Sequence, residues 1–312
     1  MTDNRDMTAG IACGAGAGAL WGLVFLAPEL VRGFGPLHLA AGRYLAYGLF
    51  AMILLAPRWH GLRDRLGRRE WVALGWLSLL GNCLYYILLA SAVQLGGIAM
   101  TSLVIGLLPV AVTILGSRDG GAPPLSQLAP SLLLGIAGVV CVGWQALGPA
   151  PGGSLVEQAA GLACAVGALV SWMIFAIGNT RWLARLDHVS AHDWSLLLGV
   201  VTGGQALLIV PAAVLLEATG QDISQWSHLI AVCAGVALLS SIAGNALWNR
   251  ASRLLPLTLI GQMILFETLF ALLYGFAWEA RLPTMLETLA ILLVIASVTS
   301  CFTAHKPAAA PA

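Results

Sequence analysis

Apolar residues run along this chain in long blocks, broken at intervals by short polar or Gly- and Pro-containing joints. A helix that crosses a bilayer needs about 20 mostly apolar residues. By that measure the pattern predicts ten spans, at 9–30, 38–56, 71–95, 98–117, 129–147, 158–180, 194–216, 228–251, 257–279 and 285–304. Helix breakers mark the joints: Gly33 and Pro36, Pro57, Gly96-Gly97, Pro123-Pro124, Pro149 to Gly153, Gly220, Pro256 and Pro283. At Gly96-Gly97 two spans run almost together. The fold class is an all-α membrane protein.

Composition agrees and narrows the function. Of 312 residues 59% are apolar and 9% charged, where a soluble domain carries about 25% charged residues. A net charge of +1 and no basic patch leave nucleic-acid binding without electrostatic footing. The six cysteines lie scattered in apolar stretches, with no spacing suited to zinc or to a disulfide framework. No GxxxxGK[ST] loop occurs, so ATP hydrolysis is not expected. The N-terminal apolar stretch has no small-residue cleavage pattern and reads as a retained first span. No cofactor, metal, nucleic acid or obligatory protein partner is implied; the lipid bilayer is.

Charge placement sets a direction. With ten spans, twelve of the fifteen basic residues fall on the side of the N-terminus; Arg32 and Arg281 fall opposite, and Arg43 lies within the second span. The positive-inside rule then puts both termini in the cytoplasm.

The chain also echoes itself. Gly81-Asn82-Cys83-Leu84-Tyr85 in span 3 matches Gly244-Asn245-Ala246-Leu247-Trp248 in span 8, and Trp21 in span 1 matches Trp172 in span 6. Pro109 and Gly116 stand as far apart in span 4 as Thr268 and Gly275 in span 9. The chain divides at residues 1–150 and 151–312 into two five-span repeats. An odd number of spans per repeat inserts the second upside down, the plan of many secondary transporters with substrate at the midplane.

Polar groups deep in a membrane are costly unless satisfied or used. Asn82 and Asn245 lie near mid-depth, each followed at helical spacing by aromatics: Tyr85 and Tyr86, and Trp248. They either face a central cavity or hydrogen-bond neighbouring helices as glue. Span 9 carries Gln262, Met263 and Glu267. Glu267 is the acid placed at the hydrocarbon centre; it takes up a proton, holds a substrate amine or pairs with Arg43. Arg43 itself is expected to snorkel to the outer interface. Pro28 and Pro109 remove helix hydrogen bonds and are candidates for kinks or gates. Trp21 and Trp172 complete the aromatic walls. His188 and His192 have no third ligand near, and no mid-depth histidine serves Ser240 or Ser241 as a base, so an enzyme is not expected.

Several short motifs then acquire a collective meaning. They are Ala19-Leu20-Trp21-Gly22, Ala40-Ala41-Gly42-Arg43-Tyr44, Asn82 with Tyr85-Tyr86, Pro109-Val110 and Phe266-Glu267. Over essentially its whole length the chain resembles the EamA-type members of the drug/metabolite transporter superfamily, and within it the amino-acid exporters. The resemblance implies a central cavity lined by both halves, alternating access and export of aromatic and other amino acids. Thr268 stands where that family often has Pro after Glu, so no mirror-image kink is expected in span 9. Neutral amides, aromatic rings, Met263 and a single acid suit zwitterions of varied side chain. Export of drug-like cations, with Glu267 as counter-charge, is the alternative.

Overall fold

A computed structural model describes residues 4–108, 110–111, 125–146, 154–183, 185–186, 189–217, 220–254 and 257–303. Pro109 and His188 lie outside the described residues, as does the side chain of Gln262. Among the described residues all regular structure is helical. We number the helices α1 (Asn4–Leu30), α2 (Pro36–Leu55), a short α3 (Trp59–Arg63), α4 (Arg68–Ser78), α5 (Tyr85–Ile105) and α6 (Leu125–Ala146). The second half contributes α7 (Leu155–Leu183), α8 (Ala191–Leu216), α9 (Ile223–Val236), α10 (Asn245–Leu254), α11 (Leu257–Trp278) and α12 (Met285–Thr303). A π-helical turn, Leu79–Leu84, joins α4 to α5, and a second, Ala237–Gly244, joins α9 to α10.

Six helical stretches are long and apolar enough to cross a membrane: Met7–Leu30, Pro36–Arg63, Arg68–Ile105, Leu155–Leu183, Ala191–Leu216 and Ile223–Ala251. Shorter apolar helices cover Ala129–Gly138, Met263–Trp278 and Met285–Ser297. This is a multi-pass membrane fold.

Local sequence explains the helix ends. Pro36 stands in the first turn of α2, where its missing N–H costs nothing. Asp222 and Gln225 cap α9 reciprocally, and the Ser190 hydroxyl accepts from the Asp193 N–H at the start of α8. Pro28 sits in the last turn of α1, which ends two residues later. Gly97 has φ +83° and ψ 167°, so one residue of left-handed backbone breaks α5 into rods at 85–96 and 98–105. Glycine adopts that φ without a Cβ penalty, which is why the Gly-Gly joint needs no loop.

Four pairings dominate the packing: α2 against α8, α5 against α7, α1 against α11, and α6 against α12. In a bilayer lipid is as apolar as leucine, so small residues that let backbones meet carry much of the association. Gly48 of α2 and Gly203 of α8 do this most tightly: a Cβ on Gly48 would lie 2.6 Å from the Gly203 Cα. Gly18 admits the backbone of α11 in the same way, since a Cβ there would come within 2.8 Å of the Glu267 nitrogen.

Candidate functional site

Between these pairs lies a cavity of about 410 Å³. Its walls are Trp21 of α1, Arg43, Tyr44 and Tyr47 of α2, Asn82 and Tyr85, Trp172 and Phe175 of α7, Ser240, Ser241, Asn245 and Trp248, and Glu267 of α11. It continues past Asn179, Thr180 and Leu183 at the end of α7 to Ala191 and Ser195 at the start of α8, so it opens toward the face that carries the α7–α8 loop. The opposite ends of α1 and α2 are closely packed. Phe34, His38 and Trp226 pack with ring centroids 4.8 to 5.8 Å apart. Glu217 accepts the backbone N–H groups of Leu37 (2.8 Å) and His38 (3.1 Å), and its carboxylate lies 2.7 Å from His38 Nδ1. On that same face Arg32 pairs with Glu29, whose hydrogen bond raises the guanidinium above its ordinary pKa.

The two π-helical turns form facing parts of the wall. A π turn carries an extra residue, which opens the helix and rotates the face that follows. In each turn the repeated Gly-Asn dipeptide has a visible use. Gly81 makes room for the Phe175 ring of α7, and Gly244 for the Trp21 indole of α1; a Cβ would meet them at 2.4 and 2.8 Å. Neighbouring helices donate to the carbonyls: Ser171 Oγ to Leu80 (2.7 Å), Tyr44 Oη to Asn82 (2.9 Å) and Trp21 Nε1 to Ser240 (3.1 Å). With no water in the hydrocarbon, such a carbonyl must find a protein partner.

Of the ten residues singled out for substrate contact, the structure brings seven to the cavity: Trp21, Asn82, Tyr85, Trp172, Asn245, Trp248 and Glu267. Trp21 and Trp248 pack with centroids 5.1 Å apart, and Trp172 lies 5.8 Å from Phe175. Both amides spend donors within the protein. Asn82 Nδ2 donates to Thr202 Oγ1 of α8 at 2.8 Å, and Asn245 Nδ2 to the Ser241 carbonyl one turn back at 2.8 Å. Asn82 is thus helix glue and cavity wall together, while Asn245 lines the wall and bonds within its own helix. Tyr86 and Met263 stand behind the wall. Tyr86 is 1% exposed, edge-on to Tyr44, and Met263 packs into the gap left by Gly14. Glu267 faces the cavity with no hydrogen-bond or ion-pair partner among the described residues.

Arg43 corrects an expectation. Instead of snorkelling, it is 8% exposed and turned to the cavity, its guanidinium carbon 4.3 Å from the Tyr86 ring centroid and 5.2 Å from that of Tyr44. The aromatic faces supply attraction that the lipid interface would otherwise have offered. Tyr47, Phe175, Asn179 and Ser241 also join the wall without having been singled out for it. Tyr44 and Tyr47, three apart beside a mid-span arginine, were the available signal.

Comparison with known proteins places this geometry in a family. Residues 8–144 match the model of the EamA-like transporter family. The chain is 32% identical over 306 residues to the inner membrane protein YtfF of Escherichia coli (strain K12), covering 94% of each. A crystal structure of a protein 20% identical superposes with a TM-score of 0.62, over 94% of this chain and 97% of that one, and so shares the fold. Spanning helices, a central cavity and a relative matched almost end to end lead to one assignment: the chain belongs to the EamA-like transporter family of the drug/metabolite transporter superfamily.

Proposed function

We propose that this chain is a secondary transporter of the bacterial inner membrane that exports amino acids of broad side-chain range. The observation that carries the reading is the cavity: aromatic rings from both halves of the chain surround one unpartnered carboxylate, Glu267, beside the half-buried amides of Asn82 and Asn245. Rings stack on aromatic substrates and attract an ammonium group. About 410 Å³ is room for one amino acid and lies within the usual range of ligand pockets, about 300–1,000 Å³. The reading assigns substrate contact to the seven wall residues, with Gln262, Met263 and Tyr86 as supports, and gating to Pro28 and Pro109.

Ten spans in two inverted repeats, 1–150 and 151–312, complete the proposal. The continuous run Arg68–Ile105 has 38 residues, about 57 Å at 1.5 Å per residue, nearly twice a hydrocarbon core of about 30 Å. A turn at Gly97 makes it two crossings. The pairing of α2 with α8 and of α6 with α12 supports the repeat, since each joins spans of equal rank in the two halves. Placement of Arg58, Arg63, Arg65, Arg68 and Arg69 on the N-terminal side supports cytoplasmic termini, so the open end of the cavity faces the cytoplasm, where an exporter loads.

Uptake of labelled Trp, Phe, Met, Thr and Lys into proteoliposomes, with and without an imposed pH gradient, tests the reading. Transport of several of them is the expected result. Transport of none, with quaternary amines carried and lost in Glu267→Gln, establishes the cation exporter in its place; the unpartnered Glu267 is what favours that second reading.

A further inference from the structure

The cavity holds a second charged group whose hydrogen-bond donors are largely unmatched. Arg43 is over nine-tenths buried and lines the wall. Its Nε and Nη1 have no hydrogen-bond partner, and Nη2 reaches Ser241 Oγ only at 3.4 Å. Among the described residues no carboxylate forms an ion pair with it; Glu267 shares the cavity and feels its charge, but from beyond contact distance. Tyr86 and Tyr44 hold the guanidinium by its faces, and ring faces satisfy charge but accept few of its hydrogens. A buried guanidinium normally matches its planar fork of N–H donors to a carboxylate. Here the fork is bound at its faces and unmatched at its edge.

We infer that Arg43 is the anchor for the carboxylate of the transported solute. The inference rests on the amino-acid reading and deepens it. An α-amino acid carries the two groups that match the hydrogen-bonding capacity Arg43 and Glu267 leave unused: its carboxylate meets Arg43 and Ser241, and its ammonium meets Glu267. The aromatic rings between them take the side chain, whose identity matters less. Discrimination is thereby placed on the α-carbon substituents that amino acids share, which reconciles broad side-chain tolerance with rejection of simple amines. A carboxylate-free amine leaves Arg43 unmatched and gains nothing from it.

Binding of labelled L-phenylalanine, phenethylamine and 3-phenylpropionate to the purified full chain in lipid nanodiscs tests this, for wild type, Arg43→Gln and Arg43→Lys. In Arg43→Gln, phenylalanine is expected to weaken at least thirtyfold and phenethylamine to change less than threefold. Arg43→Lys recovers part of the loss, since charge returns without the fork. The melting temperature of ligand-free Arg43→Gln is expected to equal or exceed that of wild type, because a buried unpaired cation has been removed. Unchanged phenylalanine binding in Arg43→Gln overturns the inference and leaves the amino-acid reading standing. Equal weakening of phenylalanine and phenethylamine with a lowered melting temperature also overturns it, marking Arg43 as packing. A wild type that binds 3-phenylpropionate but not phenylalanine, losing it in Arg43→Gln, overturns the amino-acid reading and supports the carboxylate anchor. Wild-type binding of phenethylamine alone, or of none of the three, overturns both.

Discussion

The two π-helical turns share a sequence motif but are held differently. The first, Leu79–Leu84, is clamped from three helices: Tyr44 of α2, Ser171 of α7 and Thr202 of α8 all bond to it. The second, Ala237–Gly244, has Trp21 and the Ser240 hydroxyl bonding with α1, while the Asn245 amide folds back onto its own helix. Among the described residues its hydrogen bond to α2 is the 3.4 Å approach of Arg43 to Ser241, although the two also pack together. One Gly-Asn repeat therefore sits at a wall hydrogen-bonded to three helices, and the other at a wall hydrogen-bonded chiefly to α1. The turn with fewer such bonds leads into α10, which carries Trp248 on the cavity wall. It is the wall expected to move as a substrate is enclosed.

The largest expected effect comes from prising the clamp apart. Gly48→Leu inserts a side chain where the Gly203 Cα lies 2.6 Å from the Gly48 Cβ position. It separates α2 from α8, and with them Tyr44 from Thr202. We expect a loss of about 3 kcal/mol or more, read as loss of monodisperse protein in detergent; normal folding would show that the first turn does not depend on this contact. Next is Thr202→Val, which takes the acceptor from Asn82 at nearly constant volume. A cost of about 1–3 kcal/mol is expected for the stranded amide, measured by thermal unfolding followed through tryptophan fluorescence. The smallest effect belongs to Asn245→Ala, which removes only a bond within its own helix and should cost below about 1 kcal/mol. A cost for Asn245→Ala equal to that of Thr202→Val would erase the distinction between the two turns.

The apolar helices, and the joints that fall among the described residues, were legible because lipid imposes a length and Gly and Pro impose stops. Gly97 is the clearest case: a Gly-Gly pair in an apolar run marked the break, and the positive φ lies there. Cavity walls were legible where a residue repeated across the halves, as with Trp21 and Trp172 or Asn82 and Asn245. The π turns were not, since Leu79–Leu84 contains no residue that requires one; Gly81 marks only the space that Phe175 fills beside the turn. For the same reason Tyr86, placed by regular helical spacing on the face of Asn82, stands behind it. Arg43 was misplaced because snorkelling treats a charged side chain as facing lipid, whereas Tyr44 and Tyr86 give it a destination inside the protein.

Gly97 has a mechanical consequence. A joint one residue long is a pin: the two rods that meet there cannot slide apart, and displacement of one becomes rotation of the other. The rod at 85–96 begins at Tyr85, directly after the first π turn. The rod at 98–105 bears on α11, where Ile98 fills the notch at Gly275. The Asn82 turn and the helix of Glu267 are thus linked through a single lever with its fulcrum at Gly97.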